Sequence, residues 1–402
     1  MKRNQKWIRK RHLHVKNLMY APFHAYVKRK YGYTFSPFEN TDNKNYLILY
    51  NHTTGFDQFL LGLAFKKHLI YYVATEDLFS IPVVSSLINF LVRPIPFKKS
   101  TNDTRAVINC MKVAKEGASI ALSPEGNRTY SGRTESIKAS IAKFAKSLKL
   151  PIAFFVFEGG YGVKPRWADK VRKGKMHGSV KKVLEYDEYK DMPNEDLYEL
   201  IVKNLYNDDT LTKNSYEGKH KAEYIERAMY VCPNCGLSRF ESNKNILKCL
   251  NCDLELEYNS HLRFEKIKGD KYFDNIRDWY DYQNSYINKL DLTNLSEDVI
   301  YEDKVKLFEV IVYKRKKKIS SKCILKMYKD HYELFYKKNV MTLNFDDITA
   351  TSVLGKNKMN IYIGDSIYQI KADKRFNAVK YVNIYYRYKN IKENKDEQFL
   401  GL

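Results

Sequence analysis

Four of the six cysteines constrain the fold of this chain more than any other feature. They stand as "CPNCG" (Cys232, Cys235) and "CLNCD" (Cys249, Cys252), two C-x2-C pairs with thirteen residues between them. That spacing can bring four thiolates to the corners of one tetrahedron, the geometry Zn²⁺ takes in closed structural sites. A four-sulfur set leaves no coordination position for a substrate. A zinc here is therefore expected to be structural, with residues 230–260 folding around it as a zinc ribbon. Two disulfides are the alternative. No apolar core of signal-peptide length follows the early charges, so a reducing compartment and a metal are the expectation. Cys110 and Cys323 have no such partner and read as buried small hydrophobes.

The pattern differs on the two sides of the ribbon. Residues 44–208 alternate strand-like runs ("YLILY", "LIYYVA", "SIALS", "PIAFFVF", "SVKKVLEY") with helical ones ("TRAVINCMKVAKEG", "ESIKASIAKFAKSLK", "NEDLYELIVKNLY"). This predicts an α/β domain, a mostly parallel sheet flanked by helices. Polar residues 209–229 read as a linker, and residues 261–300, with "FDNIRDWYDYQNSYI", as a helical connector. From residue 301 to 402 short β runs ("KLFEVIVY", "CILKMY", "YELFYKK", "NIYIG", "SIYQIKA") precede a last helical segment, "RFNAVKYVNIYYRY". Small strands capped by one helix suggest a β-rich domain of pleckstrin-homology-like kind.

The charge is strongly positive, 70 Lys and Arg against 47 Asp and Glu, with 33 tyrosines and 21 phenylalanines interleaved. Such a surface favours nucleic acid, acidic lipid head groups, coenzyme phosphates or an acidic carrier protein. Residues 1–38 hold ten Lys or Arg and no acid, and Trp7, Ile8, Leu13, Val15, Leu18, Met19, Tyr20 and Phe23 are spread among them. Residues 1–43 therefore read as a basic, membrane-interfacial arm, with a solvated tail leading into an ordinary helix as the alternative. The longest uncharged run, Leu78 to Val92, is fifteen residues and contains Pro82. A spanning helix needs ~20 apolar residues, so membrane association is expected to be peripheral at most.

Chemistry-bearing residues cluster in two turns. "YNHTTGFD" follows the strand-like "NYLILY" and precedes the helical "QFLLGLAFKK". It holds His52 and Asp57 at a strand-to-helix turn, where α/β enzymes keep their reactive groups. An imidazole can take a proton from a hydroxyl at neutral pH, and a carboxylate on its other nitrogen fixes the tautomer. With nine histidines in the chain the spacing alone is weak, and Asp57 serving only the first helical turn is the alternative. The second turn, "LSPEGNRTYSG", follows the strand-like "ASIALS" and presents Glu125 and Arg128. Arginine grips phosphate through a planar fork, and a loop salt bridge is the alternative. Both turns leave the carboxyl ends of expected sheet strands and so converge on one crevice.

Taken together, "NHTTGFD" and "SPEGNRT" resemble the first and third blocks of the glycerolipid acyltransferase family, enzymes similar to 1-acylglycerol-3-phosphate acyltransferase. The family's N-H-x-S-x-x-D is matched by Asn51, His52 and Asp57, with Thr54 where Ser is usual. Its F-P-E-G-T-R-S is matched by Pro124, Glu125, Gly126, Arg128 and Thr129, with Ser123 and Asn127 departing. The second block, an apolar stretch ending in Asp-Arg, corresponds to "RPIPFKKS", where Lys98 and Lys99 replace that pair. A fourth, apolar block is matched by "LPIAFFVF" at Pro151 and Ile152.

The resemblance covers residues 44–208 and implies an acyltransferase-like fold there. It implies that His52 is the general base, oriented by Asp57, for attack of a glycerol hydroxyl on a thioester without a covalent enzyme intermediate. Glu125, Gly126 and Arg128, with Lys98 and Lys99, would receive the acceptor's phosphate; a lysine keeps the charge but loses the fork. The implied partners are acyl-CoA or an acyl carrier protein as donor, a lysophospholipid acceptor and an anionic membrane surface. The expected place is the cytoplasm, peripherally on the inner face of the membrane, in phospholipid biosynthesis. Two rival classes are a silent membrane adaptor on the same fold and a zinc-ribbon nucleic-acid-binding protein. Intact His52 and Asp57 speak against the first, and the acidic "CDLELE" inside the ribbon against the second.

Overall fold

The structure, a computed structural model, describes residues 6–39, 44–75, 78–79, 82–97, 103–295, 297–311, 315–395 and 400–401. Two compact units are present: Met1–Pro165 with Val171–Glu217, and Arg166–Lys170 with Gly218–Leu402.

The first unit opens with α1 (Lys10–Tyr31) and β1 (Tyr33–Phe35), followed by β2 (Leu47–Tyr50), α2 (Asp57–Ala64), β3 (Ile70–Thr75) and α3 (Pro82–Leu91). Next come β4 (Ile95–Phe97), α4 (Thr104–Lys115), β5 (Ser119–Leu122), α5 (Ser140–Leu148) and β6 (Ile152–Glu158). The short α6 (Gly160–Val163), β7 (Met176–Leu184), α7 (Tyr186–Tyr189) and α8 (Asn194–Leu205) complete it. The strands form one sheet in the order β1-β7-β6-β2-β5-β3-β4. β6, β2, β5, β3 and β4 run parallel, β7 is antiparallel to β6, and β1 pairs in parallel with β7. The mostly parallel sheet expected from the alternation is thus present, with an antiparallel edge.

Strand β2, "LILY", is buried at every position, the continuous apolar run that a central parallel strand needs. Leu47 and Leu49 share one core with Cys110 and Val113 of α4, Ile141 and Ala145 of α5, and Leu197 and Ile201 of α8. Leu49 pairs in register with Leu122, so β2 and β5 end side by side. The loops that follow them, residues 51–56 and 123–139, therefore start at the same end of the sheet.

Three features of this unit go beyond what the sequence pattern shows. First, most of the basic N-terminal segment is the helix α1, which buries His12, Val27 and Tyr31. Lys16 Nζ donates to the carbonyls of Phe65 (3.1 Å), Lys66 (2.7 Å) and His68, just past the end of α2, where the negative end of the helix dipole favours a cation. The amides of Trp7 and Ile8 donate to the Glu116 carboxylate. Second, the linker does not begin at residue 209. Asp209 is buried and accepts from the amides of Gly159 (2.7 Å) and Tyr161 (2.8 Å), and Tyr216 is fully buried against Gly162 and Gly174. The polar stretch up to Glu217 belongs to this unit because one buried carboxylate satisfies the start of α6. Third, the segment "ESIKASIAKFAKSLK" is helical only from Ser140, since Glu135 is engaged in loop contacts.

The second unit contains β8 (Val231–Cys232), β9 (Gly236–Leu237), β10 (Phe240–Asn243), β11 (Ile246–Cys249), β12 (Glu255–Tyr258), β13 (Phe264–Lys268) and α9 (Ile276–Lys289). β8 and β9 form a hairpin, and β10 to β13 an antiparallel sheet in sequential order. Then follow β14 (Tyr301–Ile311), β15 (Arg315–Met327), β16 (His331–Tyr336), β17 (Asn339–Asn344), β18 (Ala350–Leu354), β19 (Lys358–Ile363), β20 (Ser366–Ala372) and α10 (Ala378–Lys392). These last seven strands form one antiparallel sheet in the order β17-β16-β15-β14-β20-β19-β18. Counted from β14 that is 4-3-2-1-7-6-5 before a terminal helix, a β-rich half-barrel. The segment 166–170 is held inside this unit. Trp167 is fully buried beside Tyr258, and Asp169 pairs with Arg227 (2.8 Å) and Lys356 (2.6 Å).

Candidate active site and metal centre

His52 and Asp57 meet across the turn between β2 and α2. Nδ1 of His52 lies 2.8 Å from Oδ2 of Asp57. Asp57 has no exposure, while the His52 side chain is 22 % exposed. The aspartate does not bond to its own helix; it points back into residues 52–54. It accepts from the amides of Thr53 (2.6 Å) and Thr54 (2.9 Å) and from the Thr54 hydroxyl (2.6 Å). Threonine at 54 therefore does the hydrogen-bonding work open to serine at that position. A carboxylate accepting from two amides and a hydroxyl is an acceptor toward the ring as well. This puts the proton on Nδ1 and leaves Nε2 as the basic nitrogen.

The second loop closes on the first. Glu125 is 6 % exposed, and its carboxylate accepts from the amides of His52 and Glu135, each at 2.7 Å. Burial pushes this carboxyl well above the usual range, against the pull of those two amides. The Thr129 amide donates to the His52 carbonyl at 3.1 Å. Gly126 has φ of +68°, a left-handed turn with open space beside it. Arg128 reaches the first loop: its Nη1 would stand 3.7 Å from a Cβ placed on Gly55. Thus His52, Asp57, Glu125, Gly126 and Arg128 come together at one end of the sheet. Lys98 and Lys99 lie outside the described residues.

Further residues support these loops. Asn51, the first residue of the N-H-x-S-x-x-D match, exchanges two hydrogen bonds with the main chain of Phe157, at 2.9 and 2.7 Å, locking the ends of β2 and β6 together. Gly160, Asp209 and Glu135 carry no sequence signal of their own. Gly160 approaches Thr53 so closely that a Cβ there would lie 2.2 Å from Thr53 Oγ1. Asp209, held near pKa 6 by burial against its bonds to Gly159, Asn207 and Tyr161, fixes that same α6 turn. Glu135 accepts from Thr129 Oγ1, Ser131 Oγ and the Tyr130 amide.

In the second unit Cys232, Cys235, Cys249 and Cys252 are free thiols whose sulfurs all lie within 4.8 Å of one another. Cys232 Sγ and Cys252 Sγ are 3.8 Å apart. A tetrahedron with metal–sulfur bonds of ~2.3 Å has edges of ~3.8 Å, so the donor set fits one metal ion. The amide of Asn251 points at Cys249 Sγ (3.4 Å), as suits a thiolate ligand. Helix α9 braces the hairpin: Trp279 Nε1 donates to the Val231 carbonyl (2.8 Å), and Gln283 Oε1 accepts from the amides of Tyr230 (2.8 Å) and Val231 (3.2 Å). Among the described residues no helix is long and apolar enough to cross a membrane.

Comparison with known proteins bears on the first unit. The family model described as Acyltransferase matches residues 18–157. Among curated proteins there is no significant match. Among solved structures, the chain is similar to the crystal structure of the 1-acyl-sn-glycerophosphate (LPA) acyltransferase PlsC from Thermotoga maritima. The identity is 18 %, with 48 % of this chain and 76 % of that chain covered and a TM-score of 0.39. The stretch matched by the Acyltransferase family model, residues 18–157, contains His52, Asp57, Glu125, Gly126 and Arg128.

Proposed function

We propose that this chain transfers an acyl group from a thioester to the free hydroxyl of a lysophospholipid, most simply 1-acylglycerol-3-phosphate to give phosphatidic acid. The observation that carries this reading is the His52–Asp57 contact of 2.8 Å with the aspartate fully buried and the imidazole partly exposed. Nε2 of His52 takes the proton of the acceptor hydroxyl as its oxygen attacks the thioester carbonyl. The C–O bond forms, the C–S bond breaks, and the imidazolium returns the proton to the leaving thiolate. Asp57 stabilises the cation in between. Arg128 binds the acceptor's phosphate through its fork. Coenzyme A and an acyl carrier protein are both anionic, and the net charge of +23 suits either donor.

The four-cysteine centre holds a structural Zn²⁺: the set is closed, with no position left for substrate. A peripheral membrane contact supplies the insoluble acceptor. It is supported by exposed Leu13, Leu18 and Met19 on the basic α1, with Phe59 on α2 and Leu87 and Phe90 on α3. The deciding experiment is an assay of the purified chain with lysophosphatidic acid and, in separate reactions, acyl-CoA or acyl carrier protein thioester. Phosphatidic acid formed from one donor and not the other names the donor. No product from either, with the chain folded and metal-loaded, would refute the assignment.

A further inference from the structure

Glu135 belongs to neither motif, yet it and Glu125 together hold both. One oxygen of Glu125 takes the His52 amide and the other the Glu135 amide, each at 2.7 Å. The Glu135 carboxylate gathers the loop that follows: Thr129 Oγ1 at 2.8 Å, Ser131 Oγ at 3.0 Å and the Tyr130 amide at 3.2 Å. Thr129 closes the ring by donating its amide to the His52 carbonyl at 3.1 Å. Both the N–H and the C=O of His52 are thus held by the loop that carries Arg128.

We propose that Glu125 and Glu135 are positioning residues that set the His52 imidazole and the Arg128 loop in one frame, Glu125 acting through the His52 main chain and not as a ligand of the acceptor. The inference rests on His52 being the general base. Fixing the amide and carbonyl of residue 52 fixes its φ and ψ, and with them the direction of its Cβ. The Nδ1 contact with Asp57 depends on that direction. Both Glu125 oxygens are already bound to main-chain donors in a buried place, which is poor provision for a substrate hydroxyl. Glu135 makes the arrangement two-sided: through Thr129 it reaches the peptide that bonds to the His52 carbonyl, and through Ser131 and Tyr130 it shapes the turn beyond Arg128. A reacting geometry displaced by ~1 Å costs ~10²-fold, so slack here would appear in the chemical step.

The test is steady-state kinetics of Glu125→Gln and Glu135→Gln in the full, metal-loaded chain, with lysophosphatidic acid as the varied substrate and each variant's folded fraction measured. Glutamine offers one acceptor oxygen and an NH₂ group, so in Glu125→Gln one main-chain N–H faces another donor. The expected result is a fall of ~10–100-fold in kcat with KM for the acceptor within ~3-fold. The acid limb of the pH profile of kcat should move as well, because the imidazole it reports has shifted relative to Asp57. Glu135→Gln should show the same pattern with a smaller fall, and it carries the test if Glu125→Gln does not fold. A fall explained by the folded fraction alone, with an unmoved pH limb, would reduce the pair to general stability. A rise of ~10-fold or more in acceptor KM at unchanged kcat would make Glu125 a substrate ligand. Either outcome overturns the inference. His52→Ala measured beside them keeps the two claims apart: full activity there removes the base itself, whatever the glutamates do.

Discussion

The carboxylate of Asp57 is out of contact with solvent and lies 2.8 Å from Nδ1 of His52, whose own side chain is partly exposed. The same carboxylate accepts from Thr53 and Thr54, so the turn that presents the histidine is organised around its partner. The turn and the imidazole thus share one buried carboxylate as hydrogen-bond partner.

Asp57→Asn tests that double role. An amide puts a donor where the Thr amides or the ring now donate, and the ring responds by moving its proton to Nε2, where no base remains. The expected fall in kcat is ~10²–10⁴-fold. Stability should drop by ~1–3 kcal/mol for the lost main-chain bonds. Kinetics and thermal unfolding of the same preparation separate the two. Near-normal kcat in a destabilised protein would leave Asp57 with the turn alone.

Arg128→Ala should raise KM for a phosphorylated acceptor ~10–100-fold and leave donor KM within ~2-fold, as expected for loss of a charge-assisted contact of ~1.5–3 kcal/mol. Arg128→Lys should recover part of the loss, since it restores charge without the fork. Equal effects on both substrates would give this loop a structural role.

The legible parts of the site were the local ones. His52 and Asp57 lie five residues apart, and their contact follows from a strand-to-helix turn. Glu125 was visible as a residue type, but its partners were not: the amide of His52 is 73 residues away, and Glu135 sits in what periodicity reads as the start of a helix. Helix α1 was read as an arm because its charges dominate its few buried positions. What anchors it is Lys16 on the carbonyls ending α2, a pairing that spans some fifty residues. Asp209 hid in a polar stretch for the same reason. In the second unit the strand and helix runs were readable from alternation. Strands β17 and β18 were missed because "NVMTLN" is mostly exposed, while "ATSVL" is buried on both faces and so shows no alternation.

The metal centre predicts one zinc per chain in protein purified without chelator. Cys232→Ser should release it and destabilise the second unit before the first. Two of the three tryptophans report this: Trp167 and Trp279 lie in the second unit, and Trp279 bonds to the carbonyl beside Cys232. Their fluorescence should change at a lower temperature than loss of the helical signal of the first unit. Absence of zinc by elemental analysis would remove the metal from the account.

Acid stability gives an independent check on the second unit. Burial pushes the Asp169 carboxyl up, but Arg227 and Lys356 outweigh it and hold the pKa at about 2, against an ordinary 3.8. A carboxyl lowered in the folded state contributes its full stabilisation above pH 3.8 and loses it as pH falls through about 2. After allowance for solvent screening this is worth ~1 kcal/mol. Denaturant unfolding at pH 5, 3 and 2 should show that increment disappearing in the parent chain and missing at every pH in Asp169→Asn. Parallel curves for the two proteins would contradict the assignment.

The central claim is that His52 is the base of an acyl transfer, and the most direct measurement is turnover of His52→Ala. The variant is assayed with lysophosphatidic acid and the thioester donor that the parent chain uses, after its unfolding temperature and metal content are shown to match. General-base assistance at an oriented hydroxyl is worth ~10²–10⁴-fold, so kcat should fall by that factor while acceptor KM stays within a few-fold. A folded His52→Ala protein that forms phosphatidic acid at near the parent rate would contradict the account.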